Sequence, residues 1–536
     1  MAEAAAPPAG VSAPSVKELK LDARGLPEPG VLLGYFMMVF GMFMAVLDIQ
    51  IVAASINQIQ AGLGASPEEA SWVQTSYLVA EVVMIPLSGF LSRALSTRWL
   101  FVLSSAGFTL ASVLCATATT LEEMVVYRAL QGFIGGAMIP IAFGTTLHLF
   151  GRNRQGGMMV FVSMVVTLAP TIGPTLGGWI SDTLSWHWLF LVNVIPGILI
   201  SIGVWALVDV DEPDLSLLRR LDVIGLVAMA AFLASLEYVL EEGARDQWFE
   251  DDLIAGLSLL SAIAGLIFFY RAFTAREPIV NLRAFADGNF VAGTLIGAMM
   301  GVGLYGLVYL YPLYLSRIAG LSSEQIGTVL SVSGLAMVLA APLANLIRAH
   351  VDVRVLACMG MSMMALSAYL GVGMTAEWRF NELFLPQVLR GAGLMFCMSS
   401  ISIVAFATLP MNLVKDASGL FTLCRNLGGA MGLAMINTIL QWRTSLHWSR
   451  MVEAVNAGRV ETETWLAQAQ ARLAELGVPD ATATANRQLG DLVMREALVM
   501  SYADCLWVMM VIFSIGAIMP LLMRKAGSAS PVGDAH

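Results

Sequence analysis

The chain has 536 residues, of which 57% are apolar and only 13% charged, against roughly 45–50% and about 25% in soluble proteins. So few charges cannot coat the three or four soluble domains that the length alone suggests; they suit a protein whose outer wall is lipid. A net charge of −10 excludes nucleic acid as a partner, because phosphate binding selects basic patches.

In chain order, residues 1–30, rich in Ala and Pro, lack the apolar core and cleavage site of a signal peptide and read as a flexible cytoplasmic tail. A bilayer core takes about 20 residues of helix, and fourteen apolar runs meet or nearly meet that length. They lie near 31–56, 71–91, 98–118, 124–147, 156–181, 188–208, 222–240, 253–273, 290–315, 325–347, 355–375, 383–409, 417–441 and 502–523. The expected fold is therefore all-α and polytopic. Six runs carry one internal charge each, at Asp48, Glu81, Arg128, Glu237, Arg390 and Arg425. Basic residues set the orientation. With the N-terminus inside, inward loops and tails hold seventeen Lys and Arg, while the short outward loops hold only Arg245, Arg317 and Arg379. That bias places both ends in the cytoplasm.

Two stretches outside the lipid stand out. The inward stretch 274–289 reads as a short interfacial segment with its apolar side against the membrane. Residues 442–501 form a long, nearly neutral outward loop with seven acids and six bases. Its segment Trp465 to Leu476 favours helix, with Gly477 and Pro479 as a stop signal. It reads equally as a cap on the bundle or as a docking surface. The five cysteines (Cys115, Cys358, Cys397, Cys424 and Cys505) lie in apolar runs without metal or disulfide spacing, and read as small hydrophobes.

A faint internal echo runs through the chain. Pro86-Leu87 is followed by Leu91, Arg98 and Leu100; Pro342-Leu343 is followed at the same offsets by Ile347, Arg354 and Leu356. Leu130-Gln131-Gly132 in the fourth span parallels Leu389-Arg390-Gly391 in the twelfth. The echo divides the chain into a six-helix bundle (31–208), two extra spans with linkers (209–289) and a second bundle. The second bundle comprises five helices (290–441), the loop 442–501, a last helix (502–523) and a tail (524–536). Two related bundles around a central site are a transporter architecture.

At this point the residues resemble a known family. The first span carries Leu47-Asp48 followed by Ile51-Val52. The fourth carries Arg128, Gln131 and Gly132 with Gly135-Gly136. The fifth carries Gly173-Pro174 and Gly177-Gly178, and the linker before the ninth carries Pro278-Ile279-Val280-Asn281-Leu282. From about residue 31 to 523 the chain resembles the major facilitator superfamily, specifically its fourteen-span drug:proton antiporters of the EmrB/QacA type. The resemblance implies a 6 + 2 + 6 arrangement in a bacterial inner membrane and no cofactor. It also implies export of small amphipathic molecules against protons, and a periplasmic loop at 442–501 that serves an adaptor protein and an outer-membrane channel. The chain departs from the family at Arg93, where the general loop motif has an acid, and at Val160 and Ala169, where the fifth-span motif has glycines, so looser helix packing is expected in the fifth span.

A charge at mid-membrane costs about 2.5–3.5 kcal/mol, so such residues normally face a cavity or a partner. Asp48 and Arg128 lie about 12 Å and about 8 Å from the outer ends of their spans. Similar depth permits contact, either as a proton site tuned by the guanidinium or as a static ion pair. Glu81 is a second proton-site candidate or a carboxyl bonded to a neighbouring helix. Glu237 lies so close to Glu241 and Glu242 that it is expected at the outer interface. Arg390 and Arg425 either pair structurally or contact anionic substrate groups. Tyr77, Tyr305 and Tyr309 are candidate cavity residues, and the 32 methionines suit packing or an adaptable cavity. Three other readings compete with this one. A dedicated exporter of one metabolite, such as a siderophore or fatty acid, needs only a different cavity surface. A membrane enzyme needs clustered catalytic residues, whereas the five histidines are scattered. A channel predicts a repeated pore motif.

Overall fold

A computed structural model describes residues 26–524 apart from 151, 276, 349, 411–412 and 456–458. Most of the N-terminal tail, the end of the C-terminal tail and Arg276 thus lie outside the described residues. Among those described, fourteen helices are long and apolar enough to cross a membrane, as the sequence predicts. The first bundle comprises span 1 (Pro29–Ala54), span 2 (Trp72–Leu95), span 3 (Thr97–Thr117), span 4 (Leu121–Leu149), span 5 (Arg154–Thr183) and span 6 (Trp188–Leu207). Spans 7 (Val223–Glu242) and 8 (Asp252–Thr274) follow. The second bundle comprises span 9 (Gly288–Arg317), span 10 (Gln325–Arg348), span 11 (Val353–Val372), span 12 (Phe380–Phe406), span 13 (Val414–Ala454) and span 14 (Ala481–Leu522).

The two bundles repeat one packing scheme. In the first, span 1 packs on 5 and 6, span 2 on 4, and span 3 on 4 and 6. In the second, span 9 packs on 13 and 14, span 10 on 12, and span 11 on 12 and 14. The echoed glycines explain part of this. A side chain on Gly132 would strike the backbone of Tyr77 in span 2, and one on Gly391 would strike Ser333 in span 10. Close backbone approach needs the missing Cβ in both places. Across the interface, span 2 meets span 13 and span 5 meets spans 10 and 12. Spans 7 and 8 pair with each other, and span 7 lies against spans 2 and 13.

Local chemistry starts and bends these helices. Asp222, Asp251, Asp287 and Asp352 accept hydrogen bonds from the first amides of spans 7, 8, 9 and 11, satisfying donors that lack a partner within the helix. Pro86, Pro174, Pro312, Pro342 and Pro386 lie within spans, where each removes a backbone donor. Span 9 contains a π-helical turn at Val302–Gly306.

Three expectations change. Spans 13 and 14 have 41 and 42 residues, so span 13 runs to Ala454 rather than 441, and span 14 starts at Ala481 rather than 502. The residues beyond the lipid favour helix and simply continue it. An apolar run ends where the lipid does, not where the helix does. With the helix Val460–Glu475 they make the 442–501 loop a helical arm. Its base is tied by Arg443 and His447, both on Asp504 at 2.6 and 2.7 Å, and by Thr444 with Ser501 at 2.9 Å. The linker before span 9 is not laid on lipid. Ile279, Val280 and Ala284 are buried against the protein core. Nor is the fifth span loose at Val160, which packs with Met337, Ala340, Ala341 and Phe396 of spans 10 and 12.

Candidate functional site

Span 4 breaks between Gly135 and Met138, and its first half carries Arg128 and Gln131 toward span 1. Arg128 Nη1 donates to Asp48 Oδ2 at 2.6 Å and to Gln131 Oε1 at 2.6 Å. Its Nε donates to the Val73 carbonyl at 3.1 Å, and its guanidinium carbon lies 4.3 Å from the centre of the Tyr77 ring. Asp48 Oδ1 accepts from Asn193 of span 6 at 2.7 Å and from Gln131 at 3.2 Å, while Gln131 also donates to Ser112 at 2.8 Å. Asp48, Arg128 and Gln131 are fully buried. One buried pair thus ties spans 1, 2, 3, 4 and 6 together. Asn193 was illegible in the sequence, because a neutral amide leaves no charge in an apolar run.

A cavity of about 640 Å³ lies between the bundles, within the usual range for small-molecule sites. Its lining runs from mid-span residues (Glu81, Asn426) to outer-end residues (Asn57, Asp182, Ser316), so it occupies the half facing away from the arginine-rich loops. Glu81 is 2% exposed, and its Oε1 has no hydrogen-bond partner among the described residues. Of the fifth-span motif, Pro174 and Gly178 line the cavity, while Gly173 and Gly177 abut Gln50 and Ile51 of span 1. Span 5 therefore forms cavity wall on one face and is locked to the Asp48 helix on the other.

Tyr305 and Tyr309 line the cavity as expected, and Tyr77 does not. Glu237 is not at an outer interface: it is 5% exposed and lines the cavity with Glu241. Arg390 lies outside the cavity lining and is held by Ser333 at 2.7 Å and by the Leu307 carbonyl at 3.3 Å, a structural pairing. Arg425 is buried behind the cavity, 5.6 Å from the Phe143 ring centre. Its Nε and Nη1 are without hydrogen-bond partners among the described residues.

The basic face is closed. Arg93 at the end of span 2 pairs with Asp416 at the start of span 13, and Lys415 pairs with Asp211, which also accepts from the Thr97 amide at 2.9 Å. Ser418 donates to the Pro140 carbonyl at 3.2 Å. Arg93, the departure from the family's loop motif, thus makes an inter-helix charge contact with Asp416. Asp211, Lys415 and Asp416 carried no sequence signal beyond their charge.

Residues 32–433 match the Major Facilitator Superfamily. The chain is 38% identical over 488 residues to the "Colistin resistance protein EmrB" of Acinetobacter baumannii, covering 91% of this chain and 95% of that one. It is 28% identical over 457 residues to the "Fatty acid resistance protein FarB" of Neisseria gonorrhoeae, covering 85% and 89%. It is 26% identical over 482 residues to the "Multidrug export protein EmrB" of Escherichia coli K12, covering 88% and 91%. The solved structure of the proton:xylose symporter XylE aligns with a TM-score of 0.59 at 14% identity, covering 92% of this chain and 96% of that one; this likeness bears on the fold alone.

Proposed function

The chain belongs to the major facilitator superfamily, and from that premise we propose that it is a proton-coupled antiporter exporting amphipathic drugs and toxic compounds across a bacterial inner membrane. The observation that carries the reading is a one-sided cavity with a buried carboxyl, Glu81, in its wall, one oxygen of which has no hydrogen-bond partner among the described residues. On the charge-derived orientation the cavity faces outward and the cytoplasmic side is sealed, one of the two states that alternating access requires. The relatives named for multidrug export and colistin resistance support a broad substrate range.

Asp48, Arg128 and Glu81 would carry the proton. Protonating Asp48 removes the charge that holds Arg128 and weakens a network joining five spans. Span 1, abutted by Gly173 and Gly177, then passes the change to the cavity wall. Glu81, on the cavity side, takes and releases protons from whichever side the cavity faces. A periplasmic adaptor with an outer-membrane channel would dock on the helical arm. Energised membrane vesicles loaded with an amphipathic dye test the reading. Uphill dye movement should follow an imposed pH gradient, stop when the gradient is collapsed, and be lost in Asp48→Asn while dye binding persists. Uphill transport by Asp48→Asn at the unmodified rate would make Asp48 structural. The relative named for fatty acid resistance favours a second reading, a dedicated metabolite exporter, which would transport one compound class and no dyes.

A further inference from the structure

Span 7 belongs to neither six-helix bundle, yet it supplies part of the cavity wall. It lies against spans 2 and 13, the seam where the two bundles meet on that side. Its register is fixed near its outer end: Thr75 of span 2 donates to Glu242 at 2.7 Å, and Trp248 just beyond the span donates to Thr438 of span 13 at 3.1 Å. In that register Glu237 and Glu241, one turn apart and on one helix face, both reach the cavity.

The cavity's charge is one-sided. Among the described residues its lining holds the acids Glu81, Asp182, Glu237 and Glu241 and no Lys, Arg or His. Arg425 stands behind Glu81, and Asp182 is engaged at the mouth by Gln58 at 3.3 Å. Glu237, at 5% exposure, has an Oε2 with no hydrogen-bond partner among the described residues, as Glu81 has at Oε1. An unpaired buried carboxylate is costly unless something supplies the missing charge or donor. Next to this pair in the lining are Tyr305, on the π-helical turn of span 9, and Tyr309, whose hydroxyl donates to Asn437 at 2.9 Å. π-turns recur at functional sites, and tyrosine faces attract cations.

We propose that Glu237 and Glu241 of the first extra span, with Tyr305 and Tyr309, form a binding site for the positive charge of an amphipathic organic cation. The carboxylates neutralise the charge and the rings cover the apolar groups around it. The extra spans then contribute substrate recognition as well as bulk. This inference rests on the exporter reading for its biological setting, but its test is binding alone, without a gradient.

The test uses the full-length protein and two probes of similar shape: tetraphenylphosphonium, a cation, and triphenylphosphine oxide, which is neutral. Glu237→Gln/Glu241→Gln should raise the Kd for the cation about tenfold or more, equivalent to at least about 1.4 kcal/mol, and leave the neutral probe within about twofold. Should the double variant lose both probes, Glu241→Gln decides, because Glu241 is only partly buried and its amide keeps the shape. A selective weakening of the cation supports the site. An unchanged Kd for the cation, or an unmodified protein that does not bind it, overturns the proposal. Normal cation binding with no gradient-driven transport of any compound would instead sink the exporter reading and leave this site standing.

Discussion

Asp48 and Glu81 are both mid-span carboxylates, but their surroundings differ. Asp48 is bonded by Arg128, Asn193 and Gln131 and sealed from the cavity, whereas Glu81 is in the cavity wall with one oxygen unpaired. Arg128→Lys should therefore weaken coupling more than folding: the charge opposite Asp48 survives, but the fork that also reaches Gln131 and Val73 is lost. The ratio of protons moved to dye moved measures this. Of this network, Asp48, Arg128 and Gln131 were legible because a charge or a motif marks them. Asn193 was silent, and Glu237 misled because the two acids after it suggested an interface. In fact the span continues to Glu242 and the cavity follows it.

Among elements, the contact between spans 2 and 13 on the basic face depends on Arg93 and Asp416. Asp416 is nearly inaccessible while Arg93 is part exposed, so removing the arginine leaves a buried charge unpaired, at a cost of about 3–5 kcal/mol. Arg93→Ala should shift the population toward the state open on that face. A cysteine at Ser316, at the outer mouth in a cysteine-free background, should then react with an impermeant thiol reagent at least about tenfold more slowly. Exchanging the pair, Arg93→Asp with Asp416→Arg, should restore the rate. The arm makes a separate prediction. Its helices extend spans 13 and 14 and are tied at the base by Asp504. Removing residues 455–485 should leave the protein inserted and able to bind dye, while abolishing co-purification of the adaptor. Retained co-purification would leave the arm only a capping role.

For the whole molecule, the proposed exchange against protons bounds what the exporter can do. One proton crossing about 100 mV contributes about 2.3 kcal/mol, and one pH unit adds about 1.4 kcal/mol. Together these sustain a gradient of a few hundredfold for a neutral substrate exchanged against one proton, since each 1.4 kcal/mol is about tenfold. A monovalent cation moving outward against the same voltage gives back the electrical part. Its limit with one proton is therefore about tenfold, set by pH alone. In reconstituted vesicles the steady-state gradient of a cationic dye should follow the pH difference and hardly respond to voltage. A gradient that tracks voltage as steeply as pH would require a second proton.

Sequence alone determined the membrane class, the fourteen spans, the 6 + 2 + 6 order and the family likeness, because lipid imposes length and hydropathy on each helix independently of its neighbours. Only the tertiary structure decided which charges meet. Asp48 finds Asn193 145 positions away, Arg93 finds Asp416 323 positions away, and Glu237 reaches the cavity because span 7 inserts at the seam between spans 2 and 13. A side chain's partner depends on the rotation and neighbours of its helix within the bundle, and in a uniformly apolar span hydropathy carries almost no record of either.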